Sequence, residues 1–340
     1  MTRIVHAVRS DGFAGVEQFV LRLAVAQAGD GHTVVVVGGD PGRMRPALTA
    51  VGVEHVPAAR TMDVVRALRP RIRRVDVVNT HMTAADVAGV VASGTRRRPA
   101  LVATRHFARP RGRVGPLPID ALVSHRIDAE IAISAAVAAS VGRPTTVVHA
   151  GVDGRPPGDG RARDRTVLIA QRLEPEKHTA LAVRAFAESG LAMEGWTLEV
   201  AGDGSERGRL EALVRELGLA EAVTFTGFRS DLPSVMDRAG MLVAPCPVEG
   251  LGLTVLEAMA GGLPVVAAAA GGHVELLADL DDRALFRPHD ATDAARRLRS
   301  LAGDPAGRDA LGAAERDRQQ QAFSTRAQVD GTDAVYRGVL

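Results

Sequence analysis

Two glutamates eight positions apart, Glu249 and Glu257, frame a glycine-containing turn in the stretch EGLGLTVLEAMAGGLPVV. A helix is predicted to begin near Leu253, and the free backbone N–H groups of residues 252–254 would then form a phosphate site. Glu257 would lie about 4–6 Å further along the axis, where a carboxylate accepts hydrogen bonds from hydroxyls such as those of a ribose. Glu249 can do the same for a sugar attached to the phosphates. The alternative is that Glu257 complements the helix dipole and Glu249 is a surface turn residue.

Two cations follow a predicted strand in the segment QRLEPEKH, which spans residues 171–178. Arg172 and Lys177 are therefore expected at the carboxyl end of a strand, where ligands of parallel sheets bind. Together they can neutralise a diphosphate and stabilise its charge as it departs. The alternative is an ordinary solvated loop.

The beginning of the chain offers a weaker anion signal in the loop DGFAGVEQFV. Gly12 and Gly15 permit close backbone approach to an anion, although the dinucleotide fingerprint G-x-G-x-x-G is absent. His81 and His106 each follow a predicted strand, in NTHM and ATRHF. Both are expected to point towards a polar pocket, with surface decoration as the alternative.

The elements that must position these residues alternate between strand-like and helix-like runs along the whole chain. Strands are predicted at residues 3–8, 32–39, 75–81, 101–107 and 166–173, and helices at residues 61–74, 179–189, 205–217 and 254–260. Alternation of this kind predicts an α/β protein with doubly wound parallel sheets.

One segment, GVDGRPPGDGRARDR (residues 151–165), has no apolar periodicity and is rich in glycine, proline and charge. It is predicted to be a hinge linker. The predicted domains are residues 1–150 and 166–320. A helical tail occupies roughly residues 305–340, of which 321–340 is expected to cross back to the first domain.

Composition excludes several classes of protein. Basic and acidic residues nearly balance, 42 against 40, and aromatic residues make up only 3% of the chain, which leaves little for nucleic-acid bases to stack on. Arginine clusters at residues 69–74 and 95–100 are interpreted as solvated surface, with an anionic acceptor or a membrane surface left open. Histidine and cysteine show no zinc spacing, and Asp279–Asp281 is interpreted as a loop, so no metal is expected.

The single cysteine, Cys246, fits a reducing compartment. No apolar run reaches the ~18 residues that cross a bilayer, and the N-terminus lacks the apolar core of a signal peptide. A cytoplasmic protein is therefore expected.

Residues 166–278 resemble retaining glycosyltransferases of family 4 in the order and spacing of several stretches. These are QRLEPEKH, AGDGSERGRLEALVRELGL, VTFTGFRSDLPSVM and EGLGLTVLEAMAGGLPVVAAAAGGHVELL. The first half matches more loosely, through AGVE, VDVVNTH, ATRHF and VVHAGVD. The resemblance implies a GT-B fold, in which two Rossmann-like doubly wound domains face a central cleft. It also implies that residues 1–150 form the acceptor side and residues 166–320 the donor side. Ala14 stands where the family commonly has glycine, and Cys246 where serine is common.

The resemblance also implies roles for individual residues. Arg172 and Lys177 would bind the donor diphosphate and stabilise the leaving group, Glu249 would contact the transferred sugar, and His106 would lie near the reacting sugar. The other donor-binding residues would contact the ribose, the phosphates or the base: Glu257 the ribose, Gly252, Leu253, Thr254 and Gly15 the phosphates, and Gly227 and Phe228 the base.

The implied reaction transfers a hexose or amino sugar from a nucleotide sugar, most commonly a UDP-sugar, to a hydroxyl of a small acceptor. The anomeric configuration is retained without a metal. Since the family is held to react on one face of the sugar, neither glutamate is assigned as a nucleophile. Two alternatives are a nucleotide-sugar epimerase on the same fold and a non-catalytic nucleotide-sugar-binding protein.

Overall fold

The structure is a computed structural model that describes residues 1–94, 98–114, 117–156 and 163–340. Two compact units make up the chain: the first contains Met1–Gly151 and Thr325–Leu340, and the second contains Val152–Ser324. Each is a parallel sheet covered by helices, as the alternating sequence pattern predicts. In the described part of the chain, no helix is long and apolar enough to cross a membrane.

The first unit is built on a seven-stranded sheet in the order β3-β2-β1-β4-β5-β8-β9. Its strands are β1 (Arg3–Val8), β2 (Thr33–Val37), β3 (Glu54–Val56), β4 (Val77–His81), β5 (Ala100–Arg105), β8 (Ala129–Ala132) and β9 (Thr146–Val147), and β6 (Arg113–Val114) and β7 (Leu117–Pro118) form a separate antiparallel pair. Its helices are α1 (Gly15–Gly29), α2 (Pro41–Ala50), α3 (Thr61–Leu68), α4 (Thr83–Ser93), α5 (Ile119–Val123), α6 (Ala135–Ala139) and α14 (Thr325–Arg337).

The second unit is built on a six-stranded sheet in the order β12-β11-β10-β13-β14-β15. Its strands are β10 (Thr166–Ala170), β11 (Thr197–Ala201), β12 (Val223–Gly227), β13 (Met241–Ala244), β14 (Val265–Ala268) and β15 (Leu285–Phe286). Its helices are α7 (Thr179–Ser189), α8 (Arg207–Glu216), α9 (Leu232–Arg238), α10 (Leu253–Ala260), α11 (Gly272–Leu277), α12 (Ala291–Ala302) and α13 (Pro305–Ala322).

Both sheets reverse their strand order at one point, between β1 and β4 in the first unit and between β10 and β13 in the second. At such a point the loops that leave the two neighbouring strands diverge to opposite faces of the sheet and open a crevice. The loop that carries Lys177 leaves β10, and the turn that carries Glu249 leaves β13. The strand order therefore decides which of the polar loops meet.

The core is aliphatic because parallel strands are buried on both faces. Strand β1 illustrates this: its residues are buried from Ile4 to Val8. One cluster of the first unit joins β1, β4 and β5 to helices α3 and α4, with Leu68 and Leu101 fully buried. The low aromatic content of the sequence is consistent with such a core.

Three sequence predictions need correction. The helix predicted over residues 61–74 ends at Leu68, since Pro70 has no backbone N–H to continue the helical hydrogen bonds. The second unit begins at Val152 rather than residue 166, because the Val152 backbone N–H donates to the Phe323 carbonyl (3.0 Å). Its far boundary is Ser324 rather than residue 320, and residues 321–324 belong to the second unit. Residues 157–162 of the predicted linker lie outside the described residues.

Candidate functional site

An ion pair joins the two loops at the strand-order reversal of the second unit. Lys177 ends a short 3₁₀ turn after β10, and its Nζ lies 2.5 Å from Oε2 of Glu249, which follows β13. Lys177 is also the only lysine of the chain; every other basic residue of the Lys/Arg type is arginine. An ammonium is a compact point charge, unlike the planar guanidinium. The one lysine therefore lies where the sequence predicts a diphosphate.

The ion pair keeps Glu249 charged despite its partial burial. Burial opposes ionisation, but the Lys177 ammonium and its hydrogen bond hold the pKa of the Glu249 carboxyl below its usual value. Burial raises the pKa of the Cys246 thiol to about 11, and its Sγ donates to the Glu176 carbonyl at 3.4 Å. The site thus contains one paired anion and one neutral thiol.

Helix α10 begins at Leu253, as predicted, directly after Gly252. Gly252 has a φ of +105°, a backbone conformation that residues with a side chain rarely adopt. It has no side chain to cap the helix, so the first backbone N–H groups remain available to an anion. Glu257 is the fifth residue of α10 and is half-buried. The helix start expected from the sequence is therefore present in the backbone.

Gly272 and Gly252 allow helix α11 to pack closely against this turn. A Cβ atom on Gly272 would lie 2.3 Å from the Cα atom of Leu251, so only glycine allows α11 to pack against the turn. A Cβ atom on Gly252 would lie 3.1 Å from the ring of His273, which is buried beneath it. His273 was not predicted from the sequence, although the neighbouring Gly271-Gly272 signals a close backbone approach.

The other residues predicted to bind the donor are less closely gathered. Arg172 is exposed and pairs with Glu176 at 2.9 Å. The two cations predicted to act together, Arg172 and Lys177, therefore each pair with a different carboxylate. Gly227 ends β12, and Phe228 follows it with 63% of its surface exposed. In the first unit, Gly15 is the first residue of α1 and is exposed.

Both predicted histidines of the first unit are buried and belong to one chain of hydrogen bonds. His106 Nε2 lies 3.0 Å from His81 Nδ1, and His81 Nε2 lies 3.1 Å from His6 Nδ1. His6 Nε2 lies 2.8 Å from Gln27 Oε1, and Gln27 Nε2 donates to Asp333 Oδ1 at 2.7 Å. We call His106, His81, His6, Gln27 and Asp333 the histidine chain. They are neighbours because β1, β4 and β5 are adjacent strands and because α1 and α14 pack together.

Burial determines the protonation of these histidines. It lowers the pKa of His6 to about 4 and that of His106 to about 3. The pKa of His81 is also well below its ordinary value, first through burial and then through the two neighbouring histidines. All three rings are therefore neutral at physiological pH. His81 and His106 were predicted from the sequence. His6, Gln27 and Asp333 were not, because the spacing of these three residues in the sequence carries no signal.

His106 also lines a cavity of about 540 Å³ in the first unit, together with Arg9, Arg105, Arg109 and Arg111. Within the described ranges, Arg9 and Arg109 are exposed and form no ion pair. The cavity therefore has a surplus of positive charge.

The other two arginines that line this cavity, Arg105 and Arg111, are neutralised by carboxylates of the same unit. Arg111 is fully buried and contacts Asp86 at 2.6 Å and Asp120 at 2.5 Å, as well as Glu130. Arg105 lies 3.7 Å from Glu130. These two cations therefore hold the cavity wall together rather than adding to its net charge.

Each of the two units matches a known protein family. Residues 13–154 match the family described as Glycosyltransferase Family 4, and residues 157–318 match the family described as Glycosyl transferases group 1. The lipopolysaccharide core mannosyltransferase LpcC of Rhizobium leguminosarum bv. viciae is 27% identical over 96% of this chain and 94% of its own. A 2-deoxystreptamine glucosyltransferase of Streptomyces kanamyceticus is 36% identical over 40% of this chain, which covers only 35% of that protein.

The fold is also found in a solved structure. Anabaena HepE, in complex with UDP and glucose, superposes with a TM-score of 0.83 at 22% identity, over 99% of this chain and 100% of its own. Both units therefore have the Rossmann-like architecture of GT-B proteins, as the sequence predicts.

The buried histidines predict a dependence of stability on pH. Their folded pKa values lie below the ordinary value of about 6.5, so protons bind to the unfolded chain first. Their contribution is complete above pH 6.5 and is lost as the pH falls towards about 4. Each histidine should lower the free energy of unfolding by about 1.4 kcal/mol per pH unit in that interval.

Urea unfolding of the wild type, His6→Gln and His125→Gln between pH 7 and pH 5 measures this effect. The amide introduced by His6→Gln can replace both hydrogen bonds of the imidazole, so this variant should fold and show a shallower decline than the wild type. The exposed His125 is the matched control, and its replacement should leave the decline unchanged. Equal slopes for the wild type and His6→Gln would contradict the prediction.

Proposed function

Because this chain belongs to the family 4 glycosyltransferases, we propose that it transfers a hexose or amino sugar from a nucleoside diphosphate sugar to an acceptor hydroxyl with retention of configuration. The observation that carries the proposal is the pairing of Lys177 with Glu249 beside the uncapped start of α10. This arrangement offers a cation and backbone N–H groups to a diphosphate, together with a carboxylate for sugar hydroxyls.

The donor would bind along the carboxyl edge of the second sheet. The backbone N–H groups of Gly252, Leu253 and Thr254 would hold the phosphates, and Glu257 would accept hydrogen bonds from the ribose. The exposed ring of Phe228, next to Gly227, would border the base. Gly15 and His106 of the first unit keep the roles that the family resemblance implies, near the phosphates and the transferred sugar. Uridine is the proposed base, since HepE has been crystallised with UDP.

The chemical step breaks the bond between the anomeric carbon and the diphosphate oxygen and forms one to the acceptor oxygen. The acceptor's proton leaves with the departing diphosphate, on the same face of the sugar. Lys177 and Arg172 would stabilise the charge that develops on the leaving group. For this, Arg172 must exchange its surface contact with Glu176 for the donor, a small cost since exposed pairs are worth about 0–1 kcal/mol. We propose that these cations act without a metal.

The acceptor would be a small molecule that binds in the cavity of the first unit. The unpaired cations Arg9 and Arg109 favour an acceptor that carries a phosphate or carboxylate, and they disfavour a cationic aminocyclitol. This distinguishes the proposed acceptor from the one in the name of the Streptomyces kanamyceticus relative. We place the activity in the cytoplasm, where the one cysteine would stay reduced.

The donor assignment predicts nucleotide-dependent stability. Thermal unfolding should be measured with UDP, GDP, ADP and dTDP on the wild type, Glu257→Ala and the exposed control Glu216→Ala. One nucleotide at 100 times its dissociation constant should add about 2.7 kcal/mol. Glu257→Ala should lose this gain and Glu216→Ala should keep it. Equal stabilisation of all three proteins would remove Glu257 from the nucleotide site.

The charge assignment predicts a loss of turnover. Lys177→Ala and Arg172→Ala should each lower nucleoside diphosphate release at least tenfold, about 1.4 kcal/mol of transition-state stabilisation, with or without EDTA. Arg184→Ala, an exposed change on α7, is the control. Since Lys177→Ala leaves Glu249 unpaired, its unfolding temperature should be measured in parallel, and Lys177→Arg tests whether charge alone suffices.

Unchanged turnover in both variants would refute the diphosphate contacts. Conversion of the donor sugar without any acceptor would indicate an epimerase. Donor binding without nucleoside diphosphate release under every acceptor would indicate a binding protein.

The acceptor assignment predicts a preference for anionic acceptors. With the donor identified by unfolding, initial rates should be compared for glucose 6-phosphate against glucose and for inositol 1-phosphate against inositol. The phosphorylated member should be at least tenfold better, and Arg9→Gln with Arg109→Gln should remove the preference. Arg45→Gln, an exposed change on α2, should keep it. Equal rates within both pairs would show that the cavity does not select charge.

A further inference from the structure

The hydrogen bonds of the histidine chain have one direction, in which each member donates to the next one towards Asp333. Beyond Asp333, the last member of the chain, lies His32, whose Nδ1 accepts from the backbone N–H of Thr2 at 3.1 Å. Nδ1 of His32 therefore carries no proton, and the N–H of this ring is on Nε2. That nitrogen lies 2.9 Å from Oδ2 of Asp333. The carboxylate of Asp333 only accepts hydrogen bonds, so the amide nitrogen of Gln27 must face it. The amide oxygen of Gln27 therefore faces His6.

The same direction determines which nitrogen is protonated in each of the three histidine rings. Since Gln27 Oε1 is an acceptor, His6 must carry its proton on Nε2, which leaves Nδ1 of His6 as an acceptor. His81 must donate to it from Nε2 and accept on Nδ1, and His106 must donate to His81 from Nε2. Nδ1 of His106 is left with a lone pair and no proton. A neutral imidazole has only one N–H, so reversal at one ring would require reversal at all three.

We propose that Asp333, Gln27, His6 and His81 are positioning residues that fix His106 as the Nε2–H tautomer. His106, which lines the cavity of the first unit, then offers Nδ1 as a hydrogen-bond acceptor for a hydroxyl bound there. The effect of this tautomer on catalysis rests on the proposed function, whereas the assignment of the tautomer does not. A hydroxyl of the donor sugar or of the acceptor can donate to this lone pair, whereas a neighbouring carbonyl cannot.

Packing fixes the ring planes as well as the protons. Phe19 of α1 meets His106 edge-on, with ring centroids 4.8 Å apart and planes at 88°, and it contacts His81 at 5.7 Å. His6, His81 and Gln27 are completely buried, so water cannot replace a missing member of the chain without opening the core. The rings are therefore constrained in orientation as well as in protonation.

This arrangement gives the last helix of the chain a role at the site. Asp333 belongs to α14 and contacts Gln27 across 306 positions of sequence. Its neighbour Tyr336 is held on the same sheet face by the amide of Asn79, which donates to the tyrosine oxygen at 2.8 Å. Helix α14 thus supplies the anion that orients the histidine chain.

The test is ¹⁵N NMR of histidine-labelled full-length protein, with the His106 signal assigned through His106→Gln. In the wild type, His106 should be protonated on Nε2. Asp333→Asn keeps the shape but adds a donor, so the direction is no longer enforced and His106 should populate both tautomers. Gln27→Met interrupts the chain at a second point and should act likewise. Asp330→Asn on the exposed face of α14 is the control and should leave the tautomer unchanged.

The inference is overturned if the wild-type His106 carries its proton on Nδ1, or if Asp333→Asn and Gln27→Met leave its tautomer as in the wild type. Turnover separates the inference from the proposed function. Asp333→Asn should lower kcat roughly tenfold with little change in the KM of the donor, and Asp330→Asn should not. A shifted tautomer with unchanged kcat would refute the catalytic role of His106 and leave the positioning chain standing.

Discussion

Burial of both faces of a parallel sheet is the constraint on which the rest of this structure depends. Apolar side chains fill the two faces, so polar groups gather mainly in the loops at the strand ends. Only where the strand order reverses do neighbouring loops diverge and leave room for a ligand. The pair Lys177 and Glu249 lies at such a point, between β10 and β13, and the histidine chain lies beside the reversal between β1 and β4.

The histidine chain is an exception to this apolar burial, and it is tolerated because its members satisfy one another. A buried polar group without a partner costs roughly 1–3 kcal/mol. In this network each ring nitrogen of His6 and His81 has a partner within 3.1 Å. Such a network is stable in one arrangement of protons and costly in most others. That cost explains how a residue on α14 can determine the state of a ring near the cavity.

The ion pair of the second unit illustrates a different balance. Lys177 and Glu249 are only partly buried, so the donor would meet a site in which the cation already has an anionic partner. Binding a diphosphate beside Lys177 then requires the ammonium to be shared between Glu249 and the phosphates. Glu249 would lower the positive charge that a bound diphosphate meets, and it would keep the lysine in place. A compact ammonium suits this sharing better than a planar guanidinium, which would favour a bidentate contact with the carboxylate.

The sequence predicts the α/β class, the start of α10 after Gly252 and the positions of most strands, because these depend on the periodicity and glycine content of contiguous residues. It also placed Glu249, Lys177 and His106 at strand ends. The sequence does not predict that Lys177 pairs with Glu249 while Arg172 pairs with Glu176. Nor does it predict that Asp333 orients His106 through Gln27, His6 and His81. These contacts depend on strand order and helix packing, and the pattern of neighbouring residues carries no information about which distant side chains will meet.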